Sequence, residues 1–354
     1  MKRPVCLSSR LQRDRSEHII NNQLKIAVIS GGDSAEASVS RVSAAGVTAA
    51  LLANYPDTQN FELDSTLTAS LTAFNPDVVF PVLHGPPGED GTLQGYLEIL
   101  GFKYVGSDVH SSSVAMNKII AKHIFAANDL PLAKQAVVER HQSLADCIEA
   151  IRPLGTSVVV KPATQGSALG VTRVENENQL ASALELAFEY DPKLLIEERI
   201  FGKEITVGVI ETAAGIKPLP VIEIVTGEDS WYDFEHRYTA GLSDHVVPAV
   251  LTDKQTLRLQ DIAVRAHIAL GCRDLSRADF VVPDDDSEVL LEVNTLPGMT
   301  PTSLYPDAAN VMGYSFESLV SMLVERAANR DEATRWSNLT RGTINSRSRV
   351  RCAG

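Results

Sequence analysis

At 354 residues the chain exceeds the ~250–300 residues at which single cores stop growing, so two or three domains are expected. An apolar fraction of 44% and a charged fraction of 22% are those of a soluble globular protein, and no apolar run approaches the ~20 residues of a membrane span. Net charge is −13; residues 1–15 carry about +4 and 331–354 about +3, which leaves about −20 on residues 16–330, a body that repels nucleic acid backbones.

Both basic ends lack apolar periodicity and read as disordered tails. The opening Met1-Lys2-Arg3-Pro4 is basic, but Val5-Cys6-Leu7 is too short for the apolar core of a signal peptide. Cys6, Cys147, Cys272 and Cys352 show neither metal-type nor disulfide-framework spacing, which fits a reducing cytoplasm and makes Asn338-Leu339-Thr340 a chance sequon.

In chain order, residues 25–30 read as a short buried strand. Gly31-Gly32-Asp33-Ser34-Ala35-Glu36 then turns into a helix reaching about Leu52, capped by Asp33 or Ser34. Residues 77–83 form a second strand ending at His84-Gly85-Pro86-Pro87-Gly88-Glu89-Asp90-Gly91, followed by a helix over 92–100 and a short strand at Tyr104-Val105. This alternation predicts an α/β domain with a parallel sheet, whose ligands lie beyond the carboxyl ends of the strands, where both glycine-rich loops sit.

From Met116 the pattern changes. Helices are predicted over about 117–127 and 179–189, and strands over 157–161 and 194–198, with 171–174 as a possible hairpin partner of the first strand. Residues 204–210 and 220–225 read as core strands of a third unit, and 226–247 as a long polar-aromatic loop of the length usually reserved for function or disorder. The fold class is therefore α/β, α+β overall.

The chemistry concentrates near the C-terminal end. Phe280-Val281-Val282 and Val289-Leu290-Leu291 flank an acidic turn at 283–287, which predicts a hairpin. Folded symmetrically, it sets Asp279 opposite Glu292 and Arg277 opposite Asn294, all on one face. Opposed carboxylates destabilise a hairpin unless a polyvalent cation lies between them, and hard cations such as Mg²⁺ take such oxygens together with phosphates. A solvated polar face is the alternative.

Upstream, Gly166-Ser167-Ala168-Leu169-Gly170 follows a strand ending at Lys161. Glycines let backbone N–H groups converge on an anion, although this is neither a P-loop nor a dinucleotide fingerprint, and an ordinary turn is equally possible. Glu197, Glu198 and Glu204 could accept bonds from a nucleoside's amine and ribose, or form a solvated acidic loop. Lys118 alone would pass for a surface lysine, His84 for a local hydrogen-bonding partner, and Glu36 for a residue complementing a helix dipole.

Taken together, Gly31-Gly32-x-Ser34-Ala35-Glu36-x-x-Val39-Ser40, His84-Gly85-x-x-Gly88-Glu89-Asp90-Gly91, Tyr232-Asp233-x-Glu235-x-x-Tyr238 and Asn294-Thr295-Leu296-Pro297-Gly298-Met299-Thr300-x-x-Ser303-Leu304 resemble the signatures of the D-alanine–D-alanine ligases, of the ATP-grasp superfamily. The resemblance runs from about Lys25 to Arg326. It implies a three-domain ATP-grasp architecture: an N-terminal α/β substrate-binding domain over 25–115, a central ATP-grasp domain over 116–203 and a C-terminal catalytic domain over 204–330; the basic tails over 1–24 and 331–354 lie outside it.

The resemblance also implies roles. Lys118 and Lys161 would contact the phosphates of ATP, with Gly166 and Ser167 in the loop above them. Glu197, Glu198 and the neighbouring hinge backbone would hold adenine, and Glu204 the ribose. Asp279, Glu292 and Asn294 would bind two Mg²⁺ ions, for which Mn²⁺ could substitute. The first D-alanine would become an acylphosphate that the amine of the second attacks. Arg277 and the Gly298 N–H would stabilise the intermediate, and Glu36, through Ser167 and Tyr238, the first ammonium. His84 would help place the first substrate, and Ser303 with the Leu304 backbone the carboxylate of the second.

Partners implied are ATP, D-alanine and a second copy of the chain in a homodimer through the N-terminal domain, with no nucleic acid and no membrane. The pathway implied is cytoplasmic peptidoglycan precursor synthesis. Tyr238 favours an amine nucleophile, because relatives that make the D-lactate ester can carry histidine in this loop. Arg237, Ala168 and Pro301-Thr302 depart from the common pattern. Two other functions stay open: an ATP-grasp ligase for other amino or hydroxy acids (D-serine, D-lactate or a specialised metabolite), and a non-catalytic nucleotide-binding paralogue.

Overall fold

A computed structural model describes residues 22–34, 36–227, 241–285, 287–300 and 303–330. Strands β1 (Ile26–Ser30), β2 (Thr58–Glu62) and β3 (Val78–Pro81) make a parallel sheet in the order β2-β1-β3. Strand β1 is buried along its length, and its period of two divides the core. Ile26 and Val28 pack with Ala44, Val47 and Leu51 of helix α1 (Ala37–Leu52). Ala27 and Ile29 pack on the opposite face with Leu67 and Leu71 of α2 (Leu67–Phe74) and Leu93 and Leu97 of α3 (Thr92–Leu100). Tyr104 bridges to Val79 as the short extra strand the sequence suggests.

Helices α4 (Val109–Met116) and α5 (Lys118–Ala127) lead into the second sheet, with the Asn117 side chain capping α5. That sheet is antiparallel, in the order β4-β7-β5-β6: Gln135–Glu139, Lys193–Glu198, Val158–Pro162 and Thr172–Val174. Helices α6 (Leu144–Ile151) and α7 (Leu180–Tyr190) cover one face through Val158, Val160, Leu194 and Ile196. By alternation, Val159, Lys161, Leu195 and Glu197 point to the other face.

The third sheet is antiparallel, in the order β10-β9-β8-β11-β12: Ser243–Val246, Gly215–Thr226, Lys203–Thr212, Leu275–Val282 and Val289–Asn294. Helix α8 (Asp253–Leu270), which opens with a capping box at Thr252 and Gln255, buries Leu259, Ile262, Ala263 and Ala266 against Ile205, Val207, Ala278 and Phe280. Helices α9 (Leu304–Val311) and α10 (Phe316–Ala328) follow, and α10 returns to the first sheet, packing Leu319, Val320 and Leu323 in the same core as α1.

A buried ion network locks the first and third sheets together. Asp274, 1% exposed, accepts from the Gly106 N–H at 2.8 Å and from Arg330 at 2.5 Å. Glu211 pairs with Arg326 at 2.5 Å and reaches His267 at 3.4 Å. The partly buried Glu211 carboxyl is held down to about 2, first by His267 and also by Arg326. Among the described residues no helix is long and apolar enough to cross a membrane.

Candidate active site

The hairpin of β11 and β12 pairs as its sequence predicts where it matters: Asp279 faces Glu292, and Arg277 faces Asn294. Beyond them the register slips. A bulge after Asp279 sets Phe280 against Leu290, one residue off the symmetric pairing. Asp279 accepts two bonds from Arg277, at 2.9 and 2.8 Å, and one from Thr206 at 2.6 Å. Glu292 lies 3.3 Å from Lys118, whose ammonium also donates to the Gln165 carbonyl at 2.7 Å. The opposed acids are thus each met by a cation of the chain.

Between this hairpin and the second sheet lies a cleft that is partly open to solvent. Ala133, Val159, Val171, Ile200, Val281 and Leu291 give it apolar walls, and Lys118, Lys161, Glu204 and Glu292 line its polar end. An apolar slot ending in convergent charges suits a flat base attached to an anionic chain. Glu204 is paired with Arg173 at 2.9 Å, and Glu198 with Lys134 at 3.2 Å. Glu197, among the residues lining the cleft, is 2% exposed, and its carboxylate is engaged by Lys161 at 2.5 Å and Lys122 at 2.6 Å. It is held down to about 2 by the two lysines against the opposing effect of burial, the largest single influence on it.

The glycine loop carries Ser167 and Ala168 at φ +48° and +58°, two consecutive left-handed residues that are not glycine. Such conformations cost about 1 kcal/mol or more each and survive where surrounding contacts fix them. One fixing contact is visible: the Ser167 hydroxyl donates to Glu36. A second lies at the loop's root, where Asp191 accepts from the Thr164 N–H and hydroxyl at 2.9 and 2.6 Å. Gly166 sits between Glu36 and Glu89, each with a carboxylate oxygen 3.8 Å from where a Cβ would stand.

Glu36, His84, Glu89 and Arg277 form the buried end of this region, all under 10% exposed. His84 Nε2 finds no partner among the described residues, and burial pushes its pKa down, so the ring is neutral near pH 7. Glu89 accepts from the Gly85 N–H at 2.6 Å, yet burial and the charge of Glu36 push its carboxyl up to about 8. Ser303 stands just before α9, its hydroxyl bonded to Thr300 (2.7 Å) rather than to the helix, and Gly298 approaches so closely that a Cβ there would lie 3.2 Å from the Ser303 hydroxyl. Leu304 is the buried first residue of that helix. Asn294 accepts from the Leu296 N–H at 2.8 Å, which shapes the turn leading to Gly298. Tyr238, with Arg237 and Pro301-Thr302, lies outside the described residues.

Asp279, Glu292 and Asn294 are hard oxygen donors on one face of one hairpin, which fits Mg²⁺. Among the described residues no three His, Cys, Asp or Glu converge as a self-sufficient metal cage, in keeping with an ion that shares its coordination with phosphate oxygens. Sequence reasoning missed Lys122, Glu89 and Thr206. A glutamate inside the apolar run Leu194-Leu195-Ile196-Glu197 signals a buried cation, but nothing in the sequence says which lysine supplies it.

Two antiparallel sheets flanking a cleft lined by lysines and by Glu292 of an acid-bearing hairpin define the ATP-grasp class. The family model described as the D-ala D-ala ligase C-terminus matches residues 124–325, and the corresponding N-terminus model matches 53–107. The D-alanine--D-alanine ligase of Halalkalibacterium halodurans is 44% identical over 303 residues, 85% of this chain and 98% of that protein. The Bacillus anthracis D-alanine--D-alanine ligase complexed with ATP superposes with a TM-score of 0.75 at 31% identity, covering 86% of this chain and 97% of that one. The VanG D-Ala:D-Ser ligase of Enterococcus faecalis gives 0.73 at 30%, covering 86% and 99%. The chain belongs to the D-alanine–D-alanine ligase family.

Proposed function

We propose that the chain joins two D-alanines into D-alanyl-D-alanine at the expense of ATP, supplying a peptidoglycan precursor in the cytoplasm. The observation that carries the chemistry is the opposed pair Asp279 and Glu292, bonded to Arg277 and Lys118 respectively, of which Glu292 and Lys118 line the cleft. A carboxylate and a triphosphate repel one another, so their reaction needs positive charge fixed in advance where they meet. Lys118 and Lys161 hold the phosphates, the Gly166–Gly170 loop closes over them, the backbone around Glu197 and Glu198 holds the base, and Glu204 the ribose. Mg²⁺ ions on Asp279, Glu292 and Asn294, or Mn²⁺ in their place, supply further charge neutralisation when bound.

Glu36 receives the ammonium of the first D-alanine, with Ser167 and Tyr238 completing that contact, and His84 orients its carboxylate. One carboxylate oxygen bonds to the γ-phosphorus as ADP leaves. The free amine of the second D-alanine then attacks the acyl carbon, and phosphate departs with the shared oxygen. Arg277 and the Gly298 N–H stabilise the oxyanion, and Ser303 with the Leu304 N–H receives the second carboxylate at a helix start, where backbone donors favour an anion. The units 25–115, 116–203 and 204–330 act as substrate-binding, central and catalytic domains, and two copies pair through the first.

The near-equal likeness to a D-Ala:D-Ser ligase supports a second reading, with D-serine as nucleophile. Relatives at 40–44% identity that bear the D-alanine--D-alanine ligase name support the first. Phosphate release with Mg-ATP, measured for D-alanine, L-alanine, and D-alanine plus D-serine or D-lactate, with products weighed by mass spectrometry, decides. Dipeptide from D-alanine alone is expected. Release requiring D-serine or D-lactate moves the assignment to the second reading or its ester-forming counterpart.

A further inference from the structure

Helix α5 carries two lysines four residues apart, and they have different surroundings. Lys118 lines the cleft, whereas Lys122 is 1% exposed and contributes nothing to its wall. The Lys122 ammonium lies 2.6 Å from one Glu197 oxygen and donates to the Leu290 carbonyl at 2.8 Å. Leu290 sits on β12 at the bulge, two residues before Glu292. The other Glu197 oxygen is 2.5 Å from Lys161, which does line the cleft. Two cations therefore share one buried anion, and only one of them can reach a ligand.

One lysine is enough to neutralise Glu197. A buried carboxylate left with no cation is strongly disfavoured, so a single paired lysine could not leave. We propose that Lys122 is a positioning residue that keeps Glu197 ionised and fixed, so that Lys161 can move from Glu197 to the nucleotide phosphates without stranding a charge. Glu197 then acts as a holder for Lys161 rather than as an acceptor for the base. Burial pushes the Lys122 ammonium's pKa down, with Lys161 adding to that shift, and Glu197 and the nearby Glu292 oppose it only in part. The inference rests on the proposed contact of Lys161 with phosphate.

Calorimetric titration of the full chain with Mg-ATP and, separately, with adenosine tests it. Lys122→Met should weaken ATP at least tenfold and leave adenosine within twofold, because only the phosphate contact is lost, while Lys122→Arg should retain most of the ATP affinity. Equal weakening of both ligands would mean a merely structural role, and unchanged ATP affinity would also overturn the proposal. Lys161→Met separates the two layers. If it spares ATP, the phosphate role of Lys161 fails; if it weakens ATP while Lys122→Met does not, the handover alone fails. Should Lys122→Met not fold, Lys122→Met/Glu197→Gln is compared with Glu197→Gln. The proposal predicts the same ratio of ATP to adenosine affinity in both, since Lys122 acts through Glu197, and a further tenfold fall in the double variant contradicts it.

Discussion

Asp279 and Glu292 stand directly opposite each other on adjacent strands, each held by a cation of the chain, Arg277 on the first and Lys118 on the second. Like charges so placed destabilise a sheet unless countered. Here both are countered, so Asp279→Asn should lower the Tm of the ligand-free protein, because it breaks the two-bond pairing with the buried Arg277. It should lower turnover at least a hundredfold and abolish most of the rise in Tm on adding Mg-ATP. Thermal unfolding with and without Mg-ATP checks this, and retained turnover would remove Asp279 from the metal site.

Arg277 touches Asp279 and lies within electrostatic reach of His84 and Glu89. A group that acts on developing charge affects the transition state more than ground-state binding. Arg277→Ala should cut kcat by about 10²–10³, the loss typical of removing an oxyanion donor, with ATP KM changed less than threefold. A change confined to ATP KM would assign Arg277 to nucleotide binding.

Beside Glu36 and His84 lies a carboxyl to which the sequence motif assigned no role. The Glu89 carboxyl is raised to about 8, from an unfolded value near 4.5, by burial and then by Glu36. The native state thus favours the protonated form, so this contribution to stability is complete below about pH 4.5 and is lost as pH rises through 8. Glu89→Gln mimics the neutral acid and should flatten the fall in Tm between pH 5 and 8. Parallel Tm profiles for the two proteins would mean that Glu89 is ionised in the fold.

Asp274 is not among the residues lining the cleft and binds Gly106 of the first unit together with Arg326 and Arg330 near the chain's last described helix. Removing one partner from such a buried network costs about 3–5 kcal/mol. Asp274→Ala should lower Tm by several degrees while leaving KM for ATP near its original value in the folded fraction. A Tm within a degree of the parent would mean the network is not a clamp.

How far the sequence reaches is clearest at the hairpin. The acidic turn and flanking apolar runs give the Asp279–Glu292 pairing, but Phe280, Val281, Leu290 and Leu291 tolerate a slip of one residue, so the bulge stays hidden. The strands left unread, Thr58–Glu62, Gln135–Glu139 and Ser243–Val246, are all sheet edges. An edge strand is half-solvated, and its polar residues look like loop. Helix Asp253–Leu270 carries its cap at Thr252 and an apolar stripe at 259, 262, 263, 266 and 270, so it was legible in the sequence. Lys122 is different in kind: its partner Glu197 is 75 positions away, and only the tertiary fold joins them.

Activation of D-alanine as an acylphosphate is the step on which the proposed function turns. It is tested most directly with D-alanine labelled with ¹⁸O in both carboxylate oxygens, incubated with Mg-ATP, followed by mass analysis of phosphate and dipeptide. The account predicts one ¹⁸O in the phosphate released per D-alanyl-D-alanine formed, with ADP as the nucleotide product. Unlabelled phosphate, or AMP in place of ADP, would contradict it.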